Sequence, residues 1–324
     1  MNHTHQESTN VTTPATDPIA VKVAGISMRT PLVLLSGCVA FGEELLTLDG
    51  FDFDAIGAIC LKGTTLEPKR GNAPHRLAET PSGMLNAIGL QNPGARTVVD
   101  EILPRLTSQI NTPLIANISG STTEQYGEIA RIFDDSPVAG IEINISCPNV
   151  KEGGIAFGSD PDMAGAVVEQ VRKATNKPVI TKLSPNVTDI TVVAKRAIES
   201  GSDALSVMNT LMGMAIDVKN RRPILGNLQG GLSGPAVKPV ALLKVWQTYQ
   251  LAKQHNIPII GQGGIADADD VLAFFLVGAA ATGICTSLFK DPLLPMAIAK
   301  QLRHGVKQQG VDSISQLTGA LQTA

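Results

Sequence analysis

A cysteine followed by proline at the end of an apolar run is where this sequence first suggests chemistry. Cys147 stands in Asn144-Ile145-Ser146-Cys147-Pro148-Asn149. Proline cannot continue a strand ladder, so the run stops there and the thiol is presented on a loop. Gly153-Gly154 follow at a distance that suits a mobile loop. The histidines are His3, His5, His75, His255 and His304, none of them near Cys147 in sequence. A Cys–His nucleophilic pair therefore has no support. A thiolate acting as general base on carbon is compatible, and an unperturbed pKa of ~8.5 would favour mildly alkaline pH. Cys38, Cys60 and Cys285 read instead as small buried hydrophobes. The four cysteines are far apart and contain no C-x-x-C pair. A disulfide framework, a zinc site and an iron–sulfur cluster of the chain's own are all unexpected on that pattern.

The elements that must position such a group recur along the chain. Eight short β-branched or apolar runs lie at 32–36, 58–62, 114–118, 140–145, 179–183, 204–208, 258–261 and 281–285. Uninterrupted apolar runs of this length suit strands buried on both faces. Helical patterns separate them, for example at 160–175, 189–200, 235–255 and 267–277, several opening on an Asp suited to N-capping. Eight alternating units predict an α/β fold, a closed (β/α)8 TIM barrel, with an open doubly wound sheet as the alternative. Residues 19–31 would form a short N-terminal hairpin at the barrel floor.

In such a barrel the active site lies at the C-terminal ends of the strands. Those ends carry Ser36-Gly37, Lys62-Gly63-Thr64-Thr65, Asn117, Asn144 through Asn149, Lys182, Asn209-Thr210, Gly263-Gly264 and Cys285-Thr286. Any one of these is an ordinary turn or rim residue. Together, asparagines at successive strand ends suggest hydrogen bonds to a planar polar ligand. Gly263-Gly264 with Cys285-Thr286 fit a phosphate site after the last two strands. Lys62 and Lys182, if they face inward, can stabilise negative charge on a reduced flavin or a carboxylate.

Composition narrows the classes. The chain has 324 residues, 43% of them hydrophobic, and a formal net charge of −3. That suffices for one large core, here assigned to a single domain at 19–324. With no strongly basic stretch, nucleic acid and anionic membrane surfaces are not expected partners. The longest uncharged apolar run, 271–285, is too short to cross a bilayer. Residues 1–18 are polar, without a signal-type apolar stretch, and read as a disordered leader of a cytoplasmic protein.

Longer motifs resemble a known family. They are Leu61-Lys62-Gly63-Thr64-Thr65-Leu66-Glu67-Pro68, the segment 79–94 containing Asn86-Ala87-Ile88-Gly89-Leu90, and Asn144 through Val150. Lys182-Leu183-Ser184-Pro185-Asn186, Asn209-Thr210-Leu211 and Gly230-Gly231-Leu232-Ser233-Gly234-Pro235-Ala236 continue the likeness in order. The chain is similar, from about residue 20 to 302, to the dihydroorotate dehydrogenases, most nearly the NAD-linked class 1B catalytic subunits. The resemblance implies an FMN-bound barrel that oxidises (S)-dihydroorotate to orotate in pyrimidine (UMP) biosynthesis. Cys147 would take a proton from C5 while hydride passes from C6 to flavin N5. Lys62, Asn86, Ala87, Ile88, Gly89, Leu90, Asn144, Asn149, Asn209 and Thr210 would hold the substrate. Ser36, Lys62, Gly63, Asn117, Asn144, Lys182, Met208, Gly234, Gly263, Gly264, Cys285 and Thr286 would line the FMN.

The resemblance further implies a homodimer at the core of a heterotetramer. Its partner subunit would carry FAD and a [2Fe–2S] cluster and pass electrons to NAD⁺. A class 1A enzyme would use fumarate directly. The membrane-bound class, with a serine base and an N-terminal anchor, does not fit. One departure stands out, because Cys285 replaces a glycine usual in the family. If the backbone there needs a positive φ, FMN affinity would drop; at negative φ the cysteine costs little. Competing readings are an FMN barrel that reduces uracil or a related pyrimidine, a flavin-free phosphate-binding aldolase or isomerase, and a non-catalytic FMN carrier. Against the last stands Cys147 itself.

Overall fold

The computed structural model describes residues 17–145 and 154–323. A hairpin of β1 (Val21–Val23) and β2 (Ile26–Met28) precedes the first barrel strands, β3 (Leu32–Leu34) and β4 (Ala58–Cys60). A second hairpin, β5 (Leu77–Thr80) and β6 (Gly83–Asn86), is followed by barrel strands β7 (Leu114–Ile118), β8 (Gly140–Asn144), β9 (Val179–Lys182) and β10 (Ala204–Val207). Then come β11 (Leu211–Gly213), β12 (Ile216–Asp217), β13 (Arg222–Pro223) and β14 (Gly230–Ser233), and last β15 (Ile259–Gln262) and β16 (Ala281–Ile284).

Eight strands close a parallel barrel in the order β3-β4-β7-β8-β9-β10-β15-β16, with β16 returning to β3. This is the (β/α)8 barrel expected from the eight runs, and each strand falls at its expected place. The hairpin β1–β2 lies at the floor. A side chain at Gly57, just before β4, would meet Met28, and one at Gly140, the first residue of β8, would meet Ile26.

The strands form because both their faces are covered. In β8, Ile141 and Ile143 join the outer apolar core, while Glu142 is also buried, at 2% exposure. Outside, the helices Thr123–Asp134, Pro161–Ala174, Ile190–Glu199 and Lys238–Ala252 pack each against the next. Asp160, Asp189 and Asp267 cap their helices by accepting backbone N–H groups in the first turn. No described helix is long and apolar enough to cross a membrane.

An antiparallel sheet of β11-β14-β6-β5 lies apart from the barrel, built from the insertions after β4 and β10. Sequence periodicity did not resolve it, because its strands are short and largely glycine-rich. It carries its own small cluster of Ala78, Leu85, Ala87 and Leu225. Residues of this sheet and of the strand ends face each other across one cavity.

Candidate active site

The site is built on a layer of polar side chains inside the barrel. Glu142 accepts hydrogen bonds from Asn117 Nδ2 at 2.5 Å and Cys60 Sγ at 3.2 Å on Oε1, and from Ser206 Oγ at 2.6 Å on Oε2. Cys60 lies on β4 and Ser206 on β10, neither adjacent to β8, so these bonds cross the barrel interior. Lys182 Nζ stands 3.8 Å from Glu142 Oε1. Burial, and next the charge of Glu142, push the Cys60 thiol well above its ordinary pKa. It therefore stays protonated and able to donate.

The strand ends rise from this layer. Beyond β4 the chain continues alongside β7, with Thr64 N bonded to Asn117 O at 2.9 Å, and this carries Lys62 and Gly63 to the mouth. A side chain at Gly63 would meet Asn117 Oδ1 at 2.9 Å, so glycine is needed for the close approach. Buried Asn92 joins two loops. Its Oδ1 accepts from Thr65 N and Gly94 N, and its Nδ2 donates to Thr65 Oγ1 and Leu90 O. The end of β8 is fixed by Tyr126, whose hydroxyl donates to Asn144 O at 2.9 Å.

After the last two strands the backbone forms an anion cradle. Gly263 and Gly264 have φ of +136° and +80°. A Cβ at Gly264 would meet Gly234 O and Lys238 Cβ at 2.8 Å. A side chain there would be strained and would close the space. Thr286 opens a short helical turn and donates to Ser233 Oγ at 2.8 Å, tying β14 to the loop after β16.

These pieces enclose a cavity of about 380 Å³, within the range of small-molecule sites. Of the residues expected to bind cofactor, Ser36, Lys62, Gly63, Asn144, Lys182, Met208, Gly234, Gly263, Gly264, Cys285 and Thr286 border it. Asn117 lies beneath, against Gly63. Of those expected to bind substrate, Asn86, Ile88, Gly89, Leu90, Asn209 and Thr210 border it with Lys62 and Asn144. Ala87 packs into the small cluster under the antiparallel sheet. Cys147 and Asn149 lie outside the described residues.

Reading the strand ends alone overlooked Gln262, Leu232, Ser233 and Val237, which also border the cavity. Leu232 and Ser233 were visible only within a family motif. Gln262 had a signal, a lone amide at the end of an apolar run. It donates to Met208 O at 3.1 Å, and its buried Oε1 has no partner among the described residues.

One expectation about the cysteines is corrected and one open condition is decided. Cys38 and Cys285 are not isolated hydrophobes; they form a disulfide across 247 residues of sequence, and both border the cavity. Barrel closure sets β16 beside β3, with Leu35 N bonded to Ile284 O at 3.0 Å, and the two cysteines follow where that ladder ends. The concern over a glycine-requiring backbone at Cys285 is answered by its φ of −143°. Cys60 alone matches the expectation of a buried free thiol.

Comparison with known proteins came to the same family. The family model described as dihydroorotate dehydrogenase matches residues 18–306. A Geobacter sp. (strain M21) protein named dihydroorotate dehydrogenase B (NAD(+)), catalytic subunit, is 50% identical over 305 residues, covering 94% of this chain and 98% of the relative. Relatives of the same name from Desulforudis audaxviator and Enterococcus faecalis are 49% and 46% identical over 302 residues, covering 93% of this chain and 96% and 95% of theirs.

Proposed function

The chain belongs to the dihydroorotate dehydrogenase family, and we propose that it oxidises (S)-dihydroorotate to orotate with bound FMN, as a step of pyrimidine synthesis in the cytoplasm. One observation carries this reading. The amides of Asn86, Asn144 and Asn209 and two lysines meet at one cavity that ends in a glycine cradle. A planar, carboxylated cyclic imide asks for amides and a cation; a cofactor phosphate asks for open backbone.

The residues present fit FMN. The positive-φ pair Gly263-Gly264, with Gly234 and Thr286, would take the phosphate. The unpartnered Gln262 Oε1 is a buried acceptor on the cavity wall, suited to a ring N–H. Lys182, on the floor, would supply positive charge to the pyrimidine edge of the ring. When bound, FMN supplies the acceptor for the hydride that leaves C6.

The chain's own groups then have separate tasks. Lys62 and Asn86 would hold the substrate carboxylate, while Asn144 and Asn209 would fix the ring amides; Asn209 Nδ2 already donates to Asn144 Oδ1 at 3.3 Å. Cys147 follows Asn144 by three residues, and the Tyr126 hydrogen bond fixes the strand end from which that segment departs. As thiolate it would take the C5 proton, leaving the C5=C6 double bond of orotate once the C6 hydride has gone.

Electrons would pass on to NAD⁺ through a partner subunit bearing FAD and a [2Fe–2S] cluster, with a homodimer of this chain at the core. The relatives are named as NAD(+)-linked catalytic subunits, which supports a partner. With Cys38 and Cys285 joined, two of four cysteines remain, too few to hold a cluster, so any cluster serving this chain would sit on another subunit.

The decisive experiment is anaerobic mixing of the yellow protein with dihydroorotate. Bleaching of the flavin is expected. Bleaching only by a reduced uracil would move the assignment to a pyrimidine reductase, and a colourless protein that takes up no FMN would overturn the flavin reading. Cys147→Ala should keep FMN and slow bleaching by about 10²–10⁴-fold, the usual contribution of a general base. An unchanged rate would remove Cys147 from the role. Turnover with fumarate alone would exchange the acceptor.

A further inference from the structure

Among the described residues, Glu142 is a carboxylate inside the barrel for which the proposed chemistry has no use. It is 2% exposed and sits one rung below Asn144 on β8. Its polar partners among the described residues are donors or a cation: Asn117, Cys60, Ser206 and Lys182. A carboxylate only accepts, so it dictates which way each neighbour points. Asn117 must turn its Nδ2 toward Glu142 and leave Oδ1 toward Gly63. The raised pKa of Cys60 keeps a proton on its sulfur for the same acceptor.

Lys182 is the neighbour with chemical consequence, because it alone of these four borders the cavity. It is 7% exposed, and a buried ammonium without a counter-charge is expensive. Ladder register sets Lys182 beside Asn144 on one side and Ser206 on the other, so its side chain and that of Glu142 enter the same interior.

We propose that Glu142 is a positioning residue, the counter-charge that holds Lys182 at the cavity floor and sets the net positive charge a flavin ring meets there. This rests on the reading that FMN occupies the cavity. Removing the carboxylate while keeping its shape leaves the lysine charge less compensated. Reduced flavin, which carries negative charge, is then favoured over oxidised flavin.

Two measurements test it, one of them without cofactor. In apoprotein, Lys182→Met abandons a buried carboxylate, so it should lower the folding equilibrium constant at least about tenfold more in the parent than in Glu142→Gln. Additive losses would overturn the pairing, whether or not the protein takes up FMN. In the FMN-loaded protein, Glu142→Gln should favour reduced over oxidised flavin about tenfold, a rise of about 30 mV for a two-electron couple. Glu142→Asp, which keeps the charge, should recover most of that shift. In a Lys182→Met background Glu142→Gln should shift the potential clearly less, because only the direct field of the carboxylate is then lost; an equal shift in both backgrounds would show that Glu142 does not act through Lys182. Failure of the parent to bind FMN or to be reduced by dihydroorotate would instead refute the proposed function, while the apoprotein cycle would still judge the ion pair.

Discussion

Replacing Cys38 and Cys285 together by serine removes a cross-link between residues 247 apart. Closing a loop of that size takes from the denatured chain an entropy worth about 5 kcal/mol at 25 °C in the chain-entropy model. The folded state loses little by comparison, because the β3–β16 ladder already holds the seam up to Leu35 and Ile284. For 324 residues, an unfolding entropy of about 2.1 cal/mol/K per residue turns 5 kcal/mol into a Tm drop of roughly 7 °C. The same mechanism has a second signature. An uncross-linked denatured chain is more expanded, so the denaturant m-value should rise as the midpoint falls. Guanidinium denaturation of oxidised protein, reduced protein and the double-serine variant, followed by far-UV circular dichroism, measures both. The denatured protein should titrate two thiols before reduction and four after. Equal midpoints for all three forms, or a lower midpoint with no rise in m, would refute the reasoning. Because both cysteines border the cavity, the reduced protein should also release FMN faster than the oxidised one.

Cys60 gives a pH signature. Its folded pKa lies well above the ordinary 9.0, so above that pH the unfolded chain loses a proton that the folded chain keeps. Stability is therefore fully present below pH 9.0 and declines as pH rises, by up to about 1.4 kcal/mol per unit. Cys60→Ser, still able to donate to Glu142, should flatten that decline in denaturation curves at alkaline pH; an unchanged decline would count against it. Gly264→Ala forces a side chain onto a backbone at φ +80° and toward Gly234 O. It should weaken FMN binding at least about tenfold in fluorescence titration, with secondary structure intact. Tyr126→Phe leaves the Asn144 carbonyl without its hydroxyl donor and should cost about 1–3 kcal/mol of stability by chemical denaturation.

Much of the fold could be read from the chain. The eight runs became the eight barrel strands because continuous apolar segments of four to six residues are stable only when covered on both faces. Asp160, Asp189 and Asp267 marked helix starts because a carboxylate satisfies N–H groups that a helix leaves open. The site was legible to the extent that strand ends converge. Ser36, Lys62, Asn144, Lys182, Asn209 and Gly263 come to one cavity because barrel topology sends every strand's C-terminal end to the same side. Ala87 stands off the cavity for a local reason: in an antiparallel hairpin and the loop that follows, neighbours face opposite ways, and its methyl packs in the small cluster while Asn86 borders the cavity.

Sequence by itself thus determined the barrel, its unit order and the polar inventory of its mouth, since these follow from local periodicity and from where each apolar run stops. Tertiary structure decided what depends on closure. Only when β16 returns to β3 do Cys38 and Cys285 become neighbours rather than two unrelated cysteines. Only inside a closed barrel does Glu142, a single acidic residue in an apolar strand, meet Cys60 and Ser206 from non-adjacent strands and Lys182 beside it. Such contacts join residues tens to hundreds of positions apart, and no period of two or of 3.6 residues encodes them.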